Sequence, residues 1–125
     1  MIDFTYLEFR ELKQVNSQAV LPSIQPLLLA DELIVSAFQY AKGFVAFTTK
    51  RIIAEYDQGY SGKKTDFPSL PYSRIQMFSV ESLGSFDRDG GLNLLFSDKL
   101  NIYFSFSGSV NISAIAQTIA GFALK

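Results

Sequence analysis

From Leu33 onward the chain alternates apolar and polar residues with a period of two. Phe44, Ala46 and Thr48 alternate with Val45, Phe47 and Thr49, and Ile52, Ala54 and Tyr56 with Arg51, Ile53, Glu55 and Asp57. Phe78 and Val80 alternate with Met77, Ser79 and Glu81, and Leu92, Leu94 and Phe96 with Asn93, Leu95 and Ser97. Leu100, Ile102, Phe104 and Phe106 alternate with Asn101, Tyr103 and Ser105. This spacing predicts antiparallel strands with one buried face. Turn-forming residues separate them at Ala41-Lys42-Gly43, Gln58 to Gly62, Pro68 to Pro71, Asp87 to Gly91 and Asp98-Lys99. The pattern predicts a meander of seven short strands, which hides its edges best as a barrel or as two packed sheets.

The two ends follow a different period. Asp3 is placed to cap a short helix carrying Phe4, Leu7 and Leu12 among Arg10, Glu11 and Lys13. A second helical stretch is expected from Asn16 or Ser17 towards Leu29, broken near Pro22 or Pro26 because proline removes a backbone donor and crowds the preceding turn. At the other end Ile112, Ile115, Ile119 and Phe122 share one helical face. Asn111 stands at the N-cap, and Val110 and Ile115 have the offset of a hydrophobic staple. This helix is expected to cover one mouth of the barrel. The expected organisation is a helical extension over residues 1–30 and, over 31–125, a barrel with its C-terminal helix, the whole forming a single compact unit.

Composition agrees with sheet. The chain has 125 residues, of which 12 are Phe and 6 Tyr, and aromatic residues suit a pleated, half-buried surface. The formal net charge is −1, and no third of the chain builds the one-signed field that nucleic-acid binding needs. Cys and His are both absent, which removes disulfides, thiol nucleophiles, the usual zinc ligands and the commonest general base. Asp3 stands where an export signal wants a positive charge, so none is expected. The longest apolar run, Leu27 to Ala37, is interrupted by Asp31 and Glu32 and falls short of the ~20 residues that span a bilayer. A cytoplasmic location is expected.

Phe47-Thr48-Thr49-Lys50-Arg51-Ile52-Ile53, Asp57-Gln58-Gly59, Gly62-Lys63-Lys64, Leu70-Pro71-Tyr72, Ile75, Phe78-Ser79-Val80-Glu81 and Gly84-Ser85-Phe86-Asp87 occur in that order. This series resembles the bacterial pleckstrin-homology-like (bacterial PH) domain family over roughly residues 30–119. The resemblance implies a mainly β fold: a seven-stranded antiparallel bent barrel capped by a C-terminal α-helix. It also implies symmetric homo-oligomeric rings, in a family with no established enzymatic activity.

Candidate chemistry is sparse. Lys50-Arg51 and Lys63-Lys64, with Lys42, are the candidate anion or phosphate-headgroup residues, although Glu55, Asp57 and Asp66 lie close enough in sequence to offset their field. Pleckstrin-homology domains that bind phosphoinositides carry several bases on the loop joining the first two strands. Here Tyr40-Ala41-Lys42-Gly43 has one, so membrane contact is disfavoured. Gly59 to Thr65 has two residues between its glycines where a P-loop needs four, and strands flank it. Asp87 to Gly91 lacks the glycine and flanking helices of a calcium loop. Ser61 and Lys64 have Ser-x-x-Lys spacing, but in a polar turn. No catalytic residue, metal or cofactor is assigned.

The informative positions are apolar residues on the face opposite the expected core. If Ile52 and Ala54 point inward, Ile53 points out, as do Leu95 and Tyr103 opposite Leu94 and Ile102. Ile34, Phe38 and Tyr40 share one face of their strand, while Leu33, Val35 and Ala37 make the other face apolar too. Ile34, Phe38, Tyr40, Ile53, Leu95 and Tyr103 are therefore either covered by the N-terminal helices or form a contact between protomers. The leading expectation is a non-enzymatic, self-assembling scaffold, a ring that presents a surface to an unidentified protein. The alternative is a peripheral membrane or anionic-ligand binder.

Overall fold

A computed structural model describes residues 6–57, 65–81, 90–96, 100–108 and 110–124. Its contacts divide the chain into a central unit, Gln14–Pro71, and a terminal unit that joins Met1–Lys13 to Tyr72–Lys125.

In the central unit β2 (Ile34–Tyr40), β3 (Gly43–Thr48), β4 (Arg51–Ala54) and β7 (Ser69–Pro71) form consecutive antiparallel pairs. β5 (Tyr56–Asp57) and β6 (Thr65–Asp66) make a separate two-residue ladder. The apolar run in β3 and β4 is explained by burial on both faces. Phe38, Val45, Phe47, Ile52 and Ala54 are buried on one side, and the rings of Phe38 and Phe47 meet edge to face at 5.7 Å. Ala37, Ala46 and Ile53 lie in register across the ladder on the other side, where they pack with Phe44, Val20 and Ile24.

Val20 and Ile24 come from the helical segment, which takes the broken form expected. A 3-10 turn at Ser17–Ala19, a single α turn α1 (Leu21–Ile24) and a 3-10 turn at Gln25–Leu27 follow one another. Asn16 starts it, its side chain accepting from Gln18 N at 2.9 Å. Pro22 and Pro26 each stand in the first turn of a new piece, where the missing N–H is least costly.

In the terminal unit β8 (Ile75–Glu81), β9 (Gly91–Phe96) and β10 (Leu100–Phe106) form an antiparallel meander. Six of the expected strands correspond to β2, β3, β4, β8, β9 and β10, whereas β7 falls within Pro68 to Pro71, a stretch expected to be a turn. The expected helix over Phe4–Lys13 is corrected. Tyr6–Val15 is a strand, β1, paired with β10 in parallel rather than antiparallel fashion. Leu7, Phe9 and Leu12 are its buried residues, and Phe9 stacks on Phe104 at 5.4 Å. A register slip between Phe9 and Leu12, with Glu11 at φ 57°, stretches a period of two into a spacing that imitates a helix. Glu11 N donates to Ser105 Oγ at 3.0 Å and holds the slip in place. A left-handed conformation is costly for a residue with a Cβ, so Glu11→Gly is expected to raise stability by about 0.5–1 kcal/mol in urea unfolding.

The C-terminal helix α2 (Ile112–Ala123) buries Ile112, Ile115 and Ile119. Asn111 Oδ1 accepts from Ala114 N at 3.1 Å. The helix packs on β8 and on the 3-10 turn Tyr72–Arg74, where Tyr72 and Phe122 stack at 5.3 Å.

Candidate interaction surface

The structure disperses the expected basic cluster. Lys42 is exposed in the turn between β2 and β3, while Lys50 lies in the turn at the opposite end of β3, 3.6 Å from the Asp31 carboxylate. Lys63 and Lys64 lie outside the described residues. Arg51 is committed to its own chain. Its Nε donates to Glu32 Oε2 and its Nη2 to Glu32 Oε1, both at 2.9 Å, while Nη2 also donates to Leu27 O at 2.6 Å and Nη1 to Ser69 Oγ at 3.1 Å.

Glu32 is the centre of this lock, with a side chain 0 % exposed. It also accepts from Thr48 Oγ1 at 2.6 Å and from Leu29 N at 3.1 Å. The Thr48 hydroxyl in turn accepts from the N–H groups of Lys50 and Arg51 and so closes the β3–β4 turn. Burial alone pushes the Glu32 carboxyl up, but the donors from Arg51, Thr48 and Leu29 outweigh it and hold it at about 2.

The lock pins a segment in which four aliphatic side chains stand exposed on either side of the charged Asp31, while Leu28 and Ile34 pack inward. Leu27, Leu29, Leu33 and Val35 are 43, 57, 68 and 46 % exposed. A groove of about 260 Å³ runs beside them, lined by Ser17, Gln18, Leu21, Leu28, Glu32, Leu33 and Ile34. Thr49 N donates to Leu33 O at 2.9 Å and Leu33 N to Thr49 Oγ1 at 3.2 Å, which stitches the segment to the β3–β4 turn. β2 slips by one residue against β3 at Val35.

Of the apolar positions singled out from the sequence, Phe38 and Ile53 are buried within the central unit. Ile53 takes the first of the two alternatives, since Val20 and Ile24 of the helical segment cover its face, and Phe38 packs on the opposite face against Phe47. Ile34 is half-buried at the edge of the same cluster, and Tyr40 is half-buried with its hydroxyl donating to Glu55 O at 2.7 Å. Leu95 and Tyr103 are half-buried on the face of the terminal sheet opposite Leu94 and Ile102. Tyr103 donates to Glu81 Oε1 at 2.7 Å, a bond that holds the phenol above its usual range, and the Arg10 guanidinium sits 5.9 Å from its ring centre. A Cβ at Gly91 would meet Tyr103 Oη at 2.6 Å and Glu81 Oε1 at 2.9 Å. Gly91→Ala should therefore push these two side-chain ends aside and break their hydrogen bond, at a cost of about 0.5–1.5 kcal/mol read as a lower thermal midpoint.

The sequence pattern misses Leu27 and Leu29, and it marks Leu33 and Val35 only as the second apolar face of their strand. They were visible as the longest apolar run, but their exposure depends on where the lock holds the backbone. Among the described residues there is no group of His, Cys, Asp or Glu that could hold a metal ion, and no helix is long and apolar enough to cross a membrane.

The family model described as Bacterial PH domain matches residues 4–123. The chain belongs to this family. It is 40 % identical to the uncharacterized protein YjqA of Bacillus subtilis over 66 % of each chain. To the uncharacterized protein YozO of the same organism it is 36 % identical, over 77 % of this chain and 82 % of that one. The crystal structure of a DUF1696 family protein with a pleckstrin-homology domain from Shewanella loihica matches with a TM-score of 0.77 and 31 % identity, covering 90 % of this chain and 97 % of that one. A pleckstrin homology domain from Shewanella amazonensis matches at 0.66 and 31 %, covering 89 % and 90 %. The bacterial PH fold is thus established, and the comparisons point to no enzymatic family.

Proposed function

We propose that this bacterial PH domain is a non-enzymatic, self-associating module whose copies meet through the segment Leu27–Val35, forming a homo-oligomeric ring that presents a surface to another protein. The observation that supports it is the aliphatic exposure of Leu27, Leu29, Leu33 and Val35 on a backbone that the buried Glu32–Arg51 pair holds in one geometry. Contiguous exposed apolar side chains mark contact surfaces, and a rigid display lowers the ordering cost of association. A ring requires the contact to be head to tail, so that each copy offers this segment to a different surface of its neighbour. The lack of cysteine fits a cytoplasmic setting.

Gel filtration with light scattering tests this reading. The unaltered chain should run as an oligomer at micromolar concentration, and Leu29→Glu with Leu33→Glu should weaken the contact by tenfold or more, about 1.4 kcal/mol or above. Both side chains are exposed, so the fold should survive. A clean monomer before substitution, or an unchanged mass after it, would overturn the proposal.

A further inference from the structure

β8 is a lightly guarded sheet edge, with one register slip between Ile75 and Met77 and one charge, Glu81, at its end. Among the described residues it pairs with β9 alone. From Ile75 to Val80 it reads Ile-Gln-Met-Phe-Ser-Val, with no charge and no proline. The terminal strand of the central unit's ladder, β7, is built differently: three residues long, ending in Pro71 and preceded by Pro68. Natural sheets blunt their edges with short strands, proline and charge, because a bare edge is a template for another strand. β7 is blunted by length and proline, and β8 only by its slip and its terminal charge.

Burial along β8 shows where a further strand would lie. Ile75, Phe78 and Val80 stand opposite Phe96, Leu94 and Leu92 in the ladder. Those three partners are 4, 1 and 1 % exposed, yet Ile75, Phe78 and Val80 are only half-buried. On the other face Met77 is 56 % exposed and Ser79 is exposed. The apolar row of β9 is complete, and that of β8 lacks cover on its outer side.

We infer that β8 pairs antiparallel with β8 of a second copy of this chain about a twofold axis at Phe78. The strand is complementary to itself in this register. Phe78 faces its own counterpart, and Met77 faces Ser79. The slip that β8 already has between Ile75 and Met77 brings Ile75 opposite Val80 and Arg74 opposite Glu81. All apolar pairs then fall on the half-buried face, and each end of the strand joins an exposed base to an exposed acid. Tyr103 occupies Glu81 Oε1, and a carboxylate has lone pairs for a second donor. This contact is isologous, so it is distinct from a head-to-tail ring contact and does not depend on it. Where both operate, they join two rings face to face.

The test uses the full chain carrying Leu29→Glu and Leu33→Glu, so that the segment Leu27–Val35 contributes nothing, with sedimentation equilibrium across the micromolar range. A monomer–dimer equilibrium is expected. Met77→Lys with Ser79→Lys sets lysine against lysine in this register and should abolish the dimer without unfolding the chain, since both positions are exposed. Arg74→Glu should weaken dimerisation about tenfold, because two attractive pairs become repulsive. Adding Glu81→Arg to Arg74→Glu should restore it. Amide exchange across Ile75–Glu81 should slow as concentration rises. A monomer at all concentrations, a dimer insensitive to the lysine pair, or a charge swap no better than Arg74→Glu would each overturn the inference. If instead Leu29→Glu and Leu33→Glu leave the parent mass unchanged, the ring contact alone has failed.

Discussion

Arg51→Met should lower the stability of this protein by about 3–5 kcal/mol at neutral pH, the largest effect expected from a single substitution here. The size follows from Glu32. Its carboxylate is removed from water, and two of its hydrogen bonds come from the Arg51 guanidinium. Deleting that group leaves a buried charge with donors only from Thr48 and Leu29, and it also frees Leu27 O from its partner. Arg51→Lys should recover little, because an ammonium cannot reproduce the two-pronged geometry. Glu32→Leu combined with Arg51→Met should regain most of the loss, since a buried ion pair replaced whole by apolar groups is often neutral or better. Urea unfolding reads all three as shifts of midpoint at constant slope. A double variant no more stable than Arg51→Met would show that the cost lies elsewhere, in the packing of the Leu27–Leu33 segment.

The same residues show what was legible before the fold was known. Strands β2 to β4 and β8 to β10 followed from a period of two, and α2 from Ile112, Ile115 and Ile119 with the Asn111 cap. These are local patterns, each set by which side of one element meets the core. β1 failed that test because its pairing with β10 comes from the far end of the chain. The slip at Glu11 also disguised its alternation, so that Leu7 and Leu12 read as a helical face. The site was less legible still. Ile53 pointed away from one core only to enter another, supplied by Val20 and Ile24, and no local period reports what an adjoining segment will cover. Arg51 looked like an anion ligand because its partner lies nineteen positions earlier in the chain. Glu32 looked like an interruption in an apolar run, whereas it is the buried group that holds that run at the surface.

Acid should expose the same lock from the other side. The Glu32 carboxyl titrates at about 2 in the folded protein against an ordinary value of 4.5. Its folded value is depressed, so the stability it contributes is fully present above pH 4.5 and is lost as the pH falls from 4.5 through 2. The whole difference corresponds to about 3 kcal/mol. Unfolding free energy measured across that window should fall by this amount more in the unaltered chain than in Glu32→Gln, which has no carboxyl to titrate at that position. Arg51→Met should reverse the trend. Without the guanidinium, burial dominates and raises the Glu32 carboxyl above its unfolded value, so protonation then favours the folded state and stability improves on mild acidification. A chain whose stability between pH 4.5 and 2 falls no more steeply than that of Glu32→Gln would mean that Glu32 is not held by Arg51 in solution. The rigid display of Leu27, Leu29 and Leu33, on which the proposed contact between copies depends, would then lose its physical basis.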